Sequence, residues 1–146
     1  MQPKRYKPFI DRFFYILASI TFVIVSLPII LCAIPAPSTL FITVPIFLFT
    51  AYFLVSPLFG YVELRESTVF IKYGFFMSKE IPYAKIRAVE RERKLISPSI
   101  MSLKHSVEHV NVKFNRFDIT TVSVKDNEAF INELSAQINK MQGERK

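Results

Sequence analysis

The sequence predicts an α+β protein in two parts. A transmembrane helical hairpin comes first, and an antiparallel β domain closed by one C-terminal helix follows. Three observations predict this. No Asp, Glu, Lys or Arg occurs from Phe13 to Gly60. Short apolar–polar alternations fill the stretch after Tyr61. A single apolar stripe at helical spacing follows Asp126. The boundary therefore falls between residues 60 and 61, with 1–60 holding a basic segment and two spans and 61–146 forming one small domain.

The charge-free block is too long for an ordinary soluble core and reads as membrane. It divides at Ile34–Ser38, where Pro35 and Pro37 favour a turn. The spans run over about 13–34 and 39–60, roughly 33 Å each as helices, enough to cross a bilayer. Pro28, Pro45 and Pro57 are expected to kink or loosen them, which spans tolerate. Tyr6, Tyr15 and Tyr61 fall near the expected interfaces, where amphipathic rings are favoured. The polar groups well inside are Ser19, Thr21, Ser26, Thr43, Thr50 and Tyr52, suited to backbone or helix–helix bonds. No ionisable group marks an ion or proton path, so the hairpin reads as an anchor.

Lys4, Arg5, Lys7 and Arg12 stand against Asp11 alone before the block, and Arg65 follows it. The turn between the spans is uncharged, which places both termini in the cytoplasm of a multi-pass inner-membrane protein. Cys32 is the only cysteine and points to no disulfide. Ile30 and Leu31 before it do not suit a lipoprotein signal. The apolar run is also longer than a signal peptide needs.

In the β domain, Val62 and Leu64 alternate with Glu63 and Arg65. A tight link at Glu66-Ser67 leads to Val69, Ile71 and Tyr73. Gly74 marks a turn or bulge before 75–81, and Pro82 breaks the next ladder. Val110, Val112 and Phe114 alternate inward, with Asn111 and Lys113 outward. After a turn at Asn115–Asp118, Val122 and Val124 share one face, with Thr121 and Ser123 on the other. Asp126 is a good N-cap, and Glu128 favours the first turn of the closing helix. Phe130, Leu134, Ile138 and Met141 form its stripe, and Gly143 ends it.

The stretch "IPYAKIRAVERERKLISPSIMSL" followed by "VKDNEAFINEL" resembles the bacterial pleckstrin-homology-like (PH-like) domains attached to short membrane hairpins. The features are Ile81, Pro82 and Ile86, the Ser-rich crossing from Ser97 to Leu103, and the acidic cap with Glu128, Ala129, Phe130 and Leu134. Val124 and the Lys104-His105 pair depart from the family's usual residues. The resemblance covers roughly 80 residues and implies a twisted sheet curled into a partly open barrel, with the helix plugging one end.

Two features invite chemistry. His105, Glu108 and His109 spell the inverted zinc-protease signature. That site needs both histidines one helical turn apart and a third ligand. The segment alternates like a strand, which separates the two histidines by about 13 Å. No other histidine or cysteine lies in the domain. The reading is therefore plain strand or loop histidines, with no metal, no cofactor and no enzyme. The second feature is Lys85, Arg87, Arg91, Arg93 and Lys94, which share or adjoin one strand face. They are candidate contacts for anionic lipid headgroups or a protein partner. No aromatic-interleaved basic groove points to nucleic acid. The function expected is a membrane-anchored binding module, an adaptor or scaffold for a protein partner. The alternative is an immunity protein against a bacteriocin or toxin.

Overall fold

The computed structural model describes residues 4–32, 35–96, 99 and 102–143. Its elements, in chain order, are β1 (Lys4–Tyr6), α1 (Arg12–Cys32), α2 (Leu40–Val55), β2 (Tyr61–Leu64), β3 (Thr68–Lys72), β4 (Ser78–Pro82), β5 (Ile86–Arg93), β6 (Ser102–Leu103), β7 (Glu108–Phe114), β8 (Asp118–Val122) and α3 (Asn127–Gly143). Short 3-10 turns lie at Pro37–Thr39, Ser56–Phe59 and Tyr83–Lys85.

The apolar block forms two helices long and apolar enough to cross a membrane. One is Arg12–Leu31, 20 residues of mean hydropathy 2.5; the other is Pro37–Val55, 19 residues of mean hydropathy 2.0. They pack on each other, with the Phe22 and Phe47 rings 5.2 Å apart, and otherwise leave their side chains outward. Thr21, Ser26 and Thr43 each donate to a carbonyl three or four residues back. That is how a hydroxyl is satisfied where water is absent. Pro28 and Pro45 lie inside their helices. The second helix is shorter than expected. It ends at Val55 and tightens into a 3-10 turn, because Pro57 has no N–H to continue the ladder. The expected end of the first span, Ile34, lies outside the described residues.

Two four-stranded sheets follow. The first has the order β1-β2-β3-β4, antiparallel throughout. The second has the order β5-β7-β8-β6, and here β6 runs parallel to β8, pairing Ser102 with Thr121 and Leu103 with Val122. This departs from the expected all-antiparallel sheet. β6 lies at the opposite edge of the sheet from β5, so no tight hairpin between the two fixes its direction. The sheets do not join into a closed barrel.

The core lies between the two sheets and α3. Val62, Val69, Ile71 and Ile81 of the first sheet meet Val110, Val112, Phe114 and Val122 of the second, each at most 3% exposed. Phe130 and Leu134 of α3 are fully buried in it, and Ile138 and Met141 pack at its margin. Asp126 caps α3 as expected, its Oδ1 accepting the Ala129 amide at 2.9 Å.

Some polar side chains of β7 and β8 turn inward. Asn111, expected outward, is buried, and so are Thr121 and Ser123 on the face opposite Val122 and Val124. They are satisfied internally: Thr121 donates to Asn111 Oδ1 at 2.7 Å, Asn111 donates to Glu92 at 2.6 Å, and Ser123 donates to the Glu108 carbonyl at 3.3 Å. Tyr6 is also no interface residue. It sits at the core margin with its ring edge-on to Phe130, centroids 5.2 Å apart.

Candidate functional site

The sequence's basic stretch does not form one coherent face. Lys85 ends the 3-10 turn, and a register shift between Ile86 and Ala88 puts Arg87 on a bulge, out of phase with Arg91 and Arg93. Arg87 donates to the carbonyls of Asn115 and Arg116 at 3.4 and 2.7 Å. Arg91 bridges Glu128 at 2.5 Å and Glu108 at 3.0 Å, which ties the start of α3 to β7. Those carboxylates, Glu108 foremost, raise its pKa further. Lys94 pairs with Glu92. Among the described residues, Lys85 and Arg93 have no side-chain partner, and both are exposed. From Ile86 to Arg93 the strand runs about 23 Å, so these two cations do not converge on one small ligand.

The histidines do not form the turn that their zinc signature requires. His105 lies before β7 and His109 lies within it, opposite Glu92. His109 is fully buried. Its Nδ1 lies 3.0 Å from the Val107 carbonyl, and its Nε2 faces Glu92 at 3.7 Å. His105 is 4% exposed, and its Nδ1 has no hydrogen-bond partner. Its ring stands edge-on to Phe14 at 4.7 Å. Burial drives its pKa down to about 4, so near neutral pH it is an uncharged packing group.

What sequence reasoning missed is the junction between hairpin and domain. β1 precedes α1, yet it pairs with β2, which follows α2; Lys4 stands opposite Leu64 and Tyr6 opposite Val62. Arg5 adds a 3.1 Å ion pair to the buried Glu63, which Arg65 holds at 2.9 Å. Arg65 first, then Arg5, lowers the Glu63 pKa. Lys4 reaches Glu133 on α3 at 2.6 Å, and the Tyr6 hydroxyl donates to the same carboxylate. Asp11 then serves two elements. Its Oδ1 accepts the Phe14 amide at 2.9 Å and caps α1, while its Oδ2 accepts the Val107 amide at 3.0 Å. Its own amide donates to the His105 carbonyl at 3.0 Å.

Two apolar tips flank this junction. The β3–β4 turn presents Phe75, Phe76 and Met77, with Phe76 86% exposed. It docks on the end of α2. Phe76 stacks on Tyr52 at 6.1 Å, Phe75 lies 4.6 Å from Phe59, and the Phe75 amide donates to Ser56 Oγ at 3.2 Å. Gly74 permits this approach. It has φ +153°, and a Cβ there would lie 1.9 Å from Ser56 Oγ. On the α1 side, Leu95 and Ile96 follow β5 and are exposed. Leu95 lines a cleft of about 220 Å³ with Phe13, Phe14, Leu17 and His105. The sequence signal for both tips was a run of large apolar residues inside a turn, "GFFM" and "LI".

Comparison with known proteins adds one finding. The sequence pattern of a family described as bacterial PH domain matches residues 60–137, more than half of the chain. No curated protein and no solved structure matches.

Proposed function

The chain belongs to the bacterial PH domain family, and from that premise we propose that it is a membrane-anchored binding module, an adaptor or scaffold at the cytoplasmic face of the bacterial inner membrane. The observation that carries this reading is the pairing of β1 with β2 across the hairpin. A domain whose edge strand, and the acceptor for its Val107 amide, come from the segment before α1 is not hung on a loose linker. It is held at a fixed distance from the ends of both helices. That geometry suits a module that presents a surface at the bilayer rather than one that searches the cytosol.

The cations left unpaired, Lys85 and Arg93, are the candidate contacts for an acidic protein partner. Arg87 and Lys94 contribute charge from side chains already held in place. Arg91 is a strut between α3 and β7 and belongs to the scaffold of the site.

The test uses the full chain, affinity-tagged and extracted in mild detergent. A specific protein is expected to co-purify in stoichiometric amount, and its recovery is expected to fall at least about tenfold with Lys85→Glu and Arg93→Glu combined. Recovery no better than with an unrelated two-helix anchor would sink the adaptor reading. Recovery of a bacteriocin in place of a cellular partner would move it to immunity.

A further inference from the structure

We propose that the domain is itself seated in the bilayer interface, through the β3–β4 turn and the Leu95-Ile96 tip. This inference rests on the reading that α1 and α2 span the membrane, and it adds two contacts that the hairpin alone does not supply.

Depth is the first argument. Tyr52 lies three residues before the end of α2, about 5 Å inside the span at 1.5 Å per residue. Phe76 stacks on that ring. Leu17 lies five residues into α1, about 7 Å past its start, and Leu95 shares a cleft with it. Both tips therefore reach the depth at which interfacial apolar side chains settle, about 5–10 Å into the headgroup–acyl boundary. What surrounds the spans at that depth is lipid.

Exposure is the second argument. Phe76 is 86%, Leu95 66% and Ile96 82% exposed. Isolated exposed apolar residues are ordinary. Here they cluster in two turns, and both turns touch the base of the same hairpin. Charge is the third. From Ser67 to Lys79 and from Leu95 to Val107 the chain carries Lys72, Lys79 and Lys104 and no Asp or Glu. Basic flanks around apolar tips match an anionic headgroup layer. Gly74 is the structural device, since it lets the aromatic turn lie against Ser56.

The chain has no tryptophan, so a single introduced Trp is an unambiguous depth probe. Phe76→Trp, Leu95→Trp and the mid-span reference Phe49→Trp are each reconstituted into phosphatidylcholine–phosphatidylglycerol vesicles. Emission is compared between ordinary lipid and lipid brominated along the acyl chain. All three are expected to lose at least about half of their emission in brominated lipid, as buried interfacial rings do. Quenching of Phe49→Trp with unquenched emission from either tip would overturn the seating and leave the span reading intact. An unquenched Phe49→Trp would instead remove the span reading, and the seating with it.

Discussion

His105 shows how little a motif says without its surroundings. The H-x-x-E-H spacing was legible, as was the alternation that argued against it. What could not be read was that His105 would be buried against Phe14, a contact between residues 91 positions apart. The burial has a thermodynamic consequence. The folded pKa of about 4 lies below the ordinary 6.5, so the unfolded chain binds this proton more readily than the native one. The contribution of His105 to stability is then full above pH 6.5 and is lost as pH falls toward 4, a loss of roughly 3 kcal/mol at 1.36 kcal/mol per pKa unit. Glu63, Glu92 and Glu133, whose carboxyls are held low by their basic partners, keep their stabilisation above the ordinary carboxylate value of 4.5 and lose it only as pH falls below that. The difference between two proteins isolates the histidine. His105→Gln, which does not titrate, is expected to lose less stability than the parent between pH 7 and pH 4.5 in thermal melts of the full chain in detergent. Parallel pH profiles would show that His105 is not held neutral by burial. The arginines teach the same lesson: Arg91 looked like surface charge because its partners, Glu108 and Glu128, lie 17 and 37 positions away.

At the scale of elements, the long signals were the reliable ones. The charge-free block gave α1 and α2, and the stripe from Phe130 to Met141 gave α3. The β7 and β8 alternations gave the middle of the second sheet. β1 was invisible because three residues, Lys4–Tyr6, carry no period, and their pairing partner lies beyond both helices. The docking of the β3–β4 turn was equally hidden, although Gly74 marked the turn itself. That docking is testable at its narrowest point. Gly74→Ala places a Cβ where Ser56 Oγ and the Ser56 carbonyl now lie, 1.9 and 2.9 Å away, at a φ that side chains rarely adopt. Backbone strain of this kind costs about 1–3 kcal/mol, and a domain of this size responds by roughly 4–8 °C per kcal/mol. A fall of at least several degrees in the melting temperature is expected for Gly74→Ala, against almost none for Asn132→Ala on the exposed side of α3. Indistinguishable melts for the two variants would mean that the turn is not held against α2.

For the whole molecule, the pairing of β1 with β2 and the charge pattern bear on one question from independent directions. Neighbouring strands lie about 4.8 Å apart, so the chain entering α1 and the chain leaving α2 stand side by side. If both helices cross, the two termini share a side of the membrane whatever that side is. The charge pattern then predicts the side. Three basic residues precede α1 and Arg12 opens it, Arg65 follows α2, and the connecting turn at Pro35–Thr39 has none. An excess of that kind marks the cytoplasmic flank. The two statements are tested by one pair of fusions at each terminus, one to a phosphatase active only after export and one to a fluorescent protein that matures only in the cytoplasm. Fluorescence without phosphatase activity is expected at both ends. Phosphatase activity at both ends would reverse the orientation but leave the β1–β2 pairing standing. Opposite results at the two ends would break the pairing itself. The edge strand, the Asp11 cap and the seating of the domain beside its hairpin would go with it.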